Sequence, residues 1–118
     1  MEKAHKKLNA WKEAMKLVEL IYEVTSHFPD SEKFGLFSQM RRSSVSVPSN
    51  IAEGSARTGI KDTIQFYVIA RSSLSELDTQ IELSYSLHFI SESNKHIIDQ
   101  KIETVDSLLS GLIRFKRK

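Results

Sequence analysis

The chain contains no cysteine in 118 residues. Disulfide cross-links and thiolate metal sites are therefore excluded, and the composition suits a reducing cytosol. Only two prolines and four glycines punctuate the sequence, so long regular elements are expected with few breaks between them. Strand-like alternation is absent, as are internal repeats and low-complexity segments. No apolar run is long enough for a signal peptide or a membrane span, so the reading is a soluble cytoplasmic protein with no membrane partner. Neither sign of charge dominates: the net charge of +2 is too small by itself to imply a nucleic-acid partner. Apolar residues make up 40% of the chain, which suits one compact domain over residues 1–118 with a modest core.

What is present is helical periodicity in four segments. Leu8, Trp11, Met15, Val18, Tyr22 and Thr25 step by three and four until Phe28-Pro29 stops the pattern, and this stripe, Trp11 included, is expected to face the core. A second helix is expected to start near Asp30 or Ser31, either of which can cap, and to run to a break between Gly54 and Gly59. Pro48 has no N–H for the Ser44 carbonyl and crowds it, at a cost of roughly 3 kcal/mol in a helix interior. The sequence thus predicts a bend near Pro48, with Ser43, Ser44, Ser46 and Ser49 available to compensate. From about Lys61 to Phe89, Tyr67, Ala70, Leu74, Leu77, Ile81 and either Ser84 or Tyr85 share one face. After the polar turn Ser91-Glu-Ser-Asn94, Ile98, Ile102, Val105, Leu109, Leu112 and Phe115 or Lys116 repeat the spacing to the end of the chain.

Four helices joined by short loops predict an all-α, up-down-up-down antiparallel four-helix bundle, its second helix bent near Pro48. In that topology the start of the first helix, the end of the second, the start of the third and the end of the fourth share one end. That end would collect Lys3, Lys6, Lys7, Arg57, Lys61, Arg114, Lys116, Arg117 and Lys118 against Glu2, Glu53 and Asp62. The opposite end holds Asp30, Glu32, Glu92 and Asp99, and between Glu76 and Asp106 the only lysines or arginines are Lys95 and Lys101. An electrically polarised molecule is expected.

Most site chemistries lack their residues. Di-metal bundles use Glu-x-x-His pairs on facing helices, whereas His5, His27, His88 and His96 are scattered and Glu92 with His96 is an isolated pair. No metal site or cofactor is predicted. Gly35, Gly54, Gly59 and Gly111 match no phosphate-binding spacing. The serines lie within helical pattern without a partnered histidine, so no catalytic residue is assigned.

The stretch Gln39-Met-Arg-Arg-Ser-Ser-Val-Ser-Val-Pro-Ser-Asn-Ile-Ala-Glu-Gly54 carries a polar seam beside an apolar one. Gln39, Arg42, Ser46, Ser49 and Glu53 fall on one stripe, with Asn50 adjoining; Met40, Ser44, Val47 and Ile51 fall on the next. Glu53 precedes Arg57 by four in the favourable order, and Glu76 is a candidate partner across the bundle or across a subunit interface. The seam has two readings, a structural polar network buried or half-buried between helices, or an exposed face with ordinary i, i+4 pairs. Burial predicts that Glu53→Ala costs several kcal/mol by stranding a charge.

Gln39, Arg41-Arg42, Ser46-Val-Pro-Ser-Asn-Ile-Ala-Glu-Gly54 and Arg57 resemble the signature of the four-helix-bundle family named for proteins encoded in 23S ribosomal RNA intervening sequences. Trp11-Lys with Ala14-Met, Phe28-Pro29 with Phe34-Gly-Leu36, Phe66 with Ile69-Ala-Arg-Ser-Ser-Leu74, and Glu76-Leu with Thr79-Gln80 extend the resemblance over nearly the whole chain. It departs at Ser72, where the family usually has glycine, which implies a looser helix approach there. The resemblance implies a cytoplasmic bacterial bundle that assembles as a ring-like homopentamer without enzymatic activity. A related accessory protein of diversity-generating retroelements, similar in fold, engages nucleic acid and a reverse transcriptase through a basic surface.

Three functional readings result. The first is a non-enzymatic oligomer that binds RNA or a ribonucleoprotein partner through the basic end, where His5 and Trp11 are the aromatics in reach for stacking. The alternative is a protein-interaction scaffold that uses the acidic far part of the last two helices and has no nucleic-acid role. The third is an enzyme built on Glu53 and Arg42, which requires both to face one open pocket.

Overall fold

The computed structural model describes residues 3–118. Four helices, α1 (Asn9–Thr25), α2 (Leu36–Ser55), α3 (Ile60–Ser86) and α4 (Glu92–Lys116), follow one another, with single 3₁₀ turns at Ala4–Lys7 and Asp30–Glu32. No strand occurs among the described residues. The helices form an up-down-up-down antiparallel bundle of 43 × 24 × 22 Å, the long dimension matching about 40 Å for the 27-residue α3 at 1.5 Å per residue. Phe28, after α1, and Phe89, after α3, meet with ring centroids 5.3 Å apart, so the α1–α2 and α3–α4 connections share one end.

The core stripes of α3 and α4 lie where their periodicity puts them. Tyr67, Ala70, Leu74, Leu77, Ile81 and Ser84 are buried on α3, with Tyr85 outside. On α4 Ile98, Ile102, Val105 and Leu109 are buried, and Ile113 rather than Leu112 completes the stripe. Helix α1 corrects its expectation. Its buried residues are Ala10, Ala14, Leu17, Ile21, Val24 and Thr25, a stripe rotated from the one read in sequence. Met15 and Tyr22 are exposed, while Leu8, Trp11 and Val18 are half-buried. Two apolar stripes run along this helix, and the one carrying Ala10, Ala14, Leu17 and Ile21 faces inward.

The expected start of the second helix is also corrected. Asp30 and Glu32 belong to a separate 3₁₀ turn with no side-chain cap, and α2 begins at Leu36, whose N–H is accepted by the Glu32 carboxylate at 3.1 Å. Pro48 is buried inside α2 without interrupting it, and the expected bend has no counterpart in the element boundaries. Thr25 and Arg41 join α1 to α2 near the loop between them. Arg41 Nε donates to Thr25 Oγ1 at 2.8 Å, and its guanidinium lies over the Tyr22 and Phe37 rings, 4.4 and 4.7 Å from their centroids.

Helix α3 ends at Ser86, before the expected Phe89, in a Schellman turn: Phe89 N–H donates to Ser84 O at 2.8 Å and His88 N–H to Tyr85 O at 3.0 Å. His88 occupies the left-handed position, with φ 66°, that glycine usually fills. Ser91 then caps α4, its Oγ accepting from Asn94 N–H at 3.1 Å, an N-cap arrangement worth about 1 kcal/mol.

A close helix approach lies at the other end, between α2 and α3. A Cβ on Gly54 would come within 2.9 Å of Tyr67 Cε1, 3.0 Å of Phe66 Cβ and 3.0 Å of the Thr63 carbonyl. Thr63 Oγ1 donates to the Gly54 carbonyl at 2.9 Å. Ser72, by contrast, is exposed on α3, so no close approach depends on its side chain. Gly54→Ala is expected to destabilise the fold by about 2 kcal/mol through overpacking against α3, measured as a lower denaturation midpoint with an unchanged denaturant slope.

Candidate nucleic-acid interface

The end of the bundle marked by Gly54 brings three separated segments together. Ala4 and Leu8, Ser55 and Arg57, Thr63 and Tyr67, and Leu112, Phe115 and Lys116 line one cleft of about 210 Å³. Lys6 and Lys7 lie on the 3₁₀ turn that begins at Ala4, Lys3 directly precedes it, Lys61 is in the first turn of α3, and Arg114 and Lys116 are in the last turn of α4. Lys3, Lys6, Lys7, Arg57, Lys61, Arg114, Arg117 and Lys118 are exposed, and Lys116 is half-buried. Of the acids weighed against them, Glu53 pairs with Arg57 at 3.2 Å, Asp62 is exposed in the first turn of α3, and Glu2 lies outside the described residues.

The aromatics at this end are arranged differently from the expectation. His5 and Trp11 meet edge to face, their ring centroids 5.2 Å apart and their planes at 66°. Phe115, one of two alternatives for the core stripe of α4, is 65% exposed beside Lys116. Arg57 covers the Phe66 ring at 4.7 Å. The most exposed aromatic at this end is Phe115, which sequence reasoning missed because position 115 fits the α4 stripe as well as its edge.

The polar seam of α2 divides into parts. Arg42 pairs with Glu76 on α3, its Nε donates to Gln39 Oε1 at 3.0 Å, and Glu76 in turn accepts from Gln80 Nε2 at 3.4 Å. Ser43 Oγ completes the connection from surface to core by donating to Gln80 Oε1 at 2.6 Å. Ser46 and Ser73 hydroxyls meet at 2.8 Å, and Asn50 Nδ2 donates to the Ser46 carbonyl at 2.8 Å. Ser49 stands exposed on the opposite side, over α1. The fully buried polar residues of this region are Ser43, Ser44 and Ser84, with Gln80 nearly so; the residues assigned to the seam are half-buried or exposed.

Glu53 and Arg42 cannot form one catalytic pair. Eleven positions separate them, roughly 16 Å along a helix, and each closes on its own partner. The burial-based expectation for Glu53 is likewise overturned, because its side chain is 58% exposed and its ion pair with Arg57 lies on the surface.

A second charged feature lies along α3 and α4. Asp78, Glu82 and Asp99 present carboxylate oxygens within 4.8 Å of one another, the one grouping among the described residues with metal-ligand spacing. Lys95 already serves it as a cation, bonded to Asp99 at 2.6 Å and Glu82 at 2.9 Å. These bonds raise the Lys95 pKa, while burial, followed by the Asp99 and Glu82 charges, raises that of Asp78. Between α1 and α4, Glu13 accepts from Lys101 at 3.0 Å, and this bond, with a second from Lys16, lowers its pKa.

Four antiparallel helices with a cationic end place the protein in the class of all-α four-helix bundles. The chain belongs to the family of 23S rRNA-intervening sequence proteins, whose model matches residues 6–111. Its fold is similar to the crystal structure of a protein of unknown function from the S23 ribosomal protein family of Bacteroides thetaiotaomicron VPI-5482. The TM-score is 0.83 at 21% identity, over 89% of this chain and 95% of that one. No curated protein matches the chain.

Glu53→Ala is expected to change stability by only about 0.3–0.5 kcal/mol, the value of an exposed i, i+4 pair, read from urea denaturation; a loss of several kcal/mol would restore the buried-charge reading.

Proposed function

We propose that this protein is a non-enzymatic oligomeric bundle of the bacterial cytoplasm that associates with RNA or a ribonucleoprotein partner through its basic end. The observation that carries this reading is that the N-terminal turn, the α2–α3 connection and the end of α4, each bearing exposed or half-buried cations, meet at one cleft lined by Arg57, Lys116 and the exposed ring of Phe115. Phosphate contacts supply sequence-independent affinity, and an aromatic amid them adds a stacking surface. No helix among the described residues is long and apolar enough to cross a membrane, which fits the proposed location.

Self-association rests on a different face. Trp11, Met15, Val18, Val45, Pro48 and Ala52 line a groove between α1 and α2 that is almost wholly apolar, the outer counterpart of the alanine stripe. Buried against further copies, five by family resemblance, such a strip would gain from the removal of its apolar surface from water. A ring would repeat the basic end around an axis and multiply weak contacts.

The RNA reading is tested by fluorescence anisotropy of the protein with structured RNA at several salt concentrations. Binding should weaken steeply with salt, and reversing Lys6, Lys7, Arg117 and Lys118 to glutamate should lower the log–log slope by roughly 0.7–0.9 per lost phosphate contact. An unchanged slope would reject this site. Capture of one stoichiometric protein partner after nuclease treatment, lost on neutralising Asp78, Glu82 and Asp106, would favour the scaffold reading instead. For assembly, Val45→Glu should shift the sedimentation coefficient to that of a monomer while the helical circular-dichroism signal is retained; a wild-type protein that sediments as a monomer would overturn the ring.

A further inference from the structure

We infer that the cleft at the basic end receives one unpaired base of an RNA strand, stacked against Phe115, with Arg57 and Lys116 holding the phosphates on either side. This inference rests on the RNA reading above and specifies its ligand as single-stranded. Four properties of the cleft lead to it. Its volume of about 210 Å³ is below the roughly 300–1,000 Å³ of pockets that take drug-sized ligands, and suits a single flat ring system. Its sides are apolar, formed by Leu8, Leu112 and the 65%-exposed ring of Phe115, which offers a π-face to whatever enters.

The polar floor is already satisfied. Ser55 Oγ donates to the Ile51 carbonyl at 2.8 Å, so in the 2.8 Å contact between the two hydroxyls Tyr67 donates to Ser55. Both protons are then committed inside the protein, and the floor presents no donor that demands a particular base edge. Recognition therefore proceeds by stacking and charge, which every base can satisfy. Finally, both cationic side chains are at the cleft itself. Arg57 is braced by Glu53 and by the Phe66 ring, and Lys116 is half-buried in the lining. A base in the cleft thus has positive charge within reach of its flanking phosphates. A paired base has its faces covered within the stack and is excluded.

The test compares a fluorescein-labelled oligoadenylate with a blunt RNA duplex, each titrated against the full-length protein. Phe115→Ala should weaken oligoadenylate binding about tenfold, the scale of one lost base–aromatic stack, with no change in salt slope and none in duplex affinity. Phe115→Tyr should restore binding. Because the side chain is mostly exposed, the thermal midpoint of the alanine variant should match that of the wild type. Equal oligoadenylate affinity in wild type and Phe115→Ala would overturn the cleft assignment, and if the charge-reversed variant still loses binding, the basic-end reading survives alone. Failure of the wild type to bind either RNA at low salt would overturn both. Adenosine monophosphate should compete only at far higher concentration than the strand; competition at equal concentration would reassign the cleft to a free nucleotide.

Discussion

The approach of α2 to α3 at Gly54 is the constraint on which the basic end of this molecule depends. With no side chain at that position, the α2 backbone comes close enough for Thr63 to bond the Gly54 carbonyl and for Ser55 to meet Tyr67. These contacts set where α2 stops and where α3 turns back, and so where Arg57 and Lys61 lie relative to the two chain termini. The cleft floor is built from the same hydroxyls. Moving the helices apart by the width of a methyl group would disturb packing, floor and charge placement together, since all are fixed by one clearance.

Much of this was legible in the sequence, and the exceptions have physical reasons. Helices α3 and α4 each carry one dominant apolar stripe, so periodicity alone placed Leu74, Leu77, Ile81, Ile98, Val105 and Leu109 inside. Helix α1 carries two. The three-and-four spacing fitted Trp11, Met15 and Tyr22, whereas the core took Ala10, Ala14, Leu17, Ile21 and Val24, which fit a helical stripe equally well. The start of α2 was obscured for a related reason: Asp30 and Ser31 have the chemistry of caps, but the orphan N–H of Leu36 is satisfied by Glu32 from within a preceding turn.

The polar seam shows the limit of spacing more sharply. Arg42 and Glu76 do pair across helices, yet Glu53, on the same stripe, is exposed. Between Arg42 and Glu53 the stripe passes from a cross-helix partner on α3 to a pair with the nearby Arg57, and periodicity does not record where that happens. That the segments carrying the basic residues share one end, by contrast, follows from topology, because short loops compel antiparallel neighbours. Phe115 was ambiguous because positions 115 and 116 both continue the spacing, whereas the buried stripe of α4 ends at Ile113 and leaves Phe115 exposed.

The uneven distribution of charge along a 43 Å body also bears on how this protein meets another molecule. Cations cluster at one end, while carboxylates line the distant parts of α3 and α4, so the field of a polyanion exerts a torque on the whole molecule. It turns the cationic end forward before any contact forms, which acts on the rate of productive encounter more than on the strength of the final complex. The Lys95 bonds to Glu82 and Asp99 weaken the opposing pole, and so temper how strongly the bundle is aligned during approach.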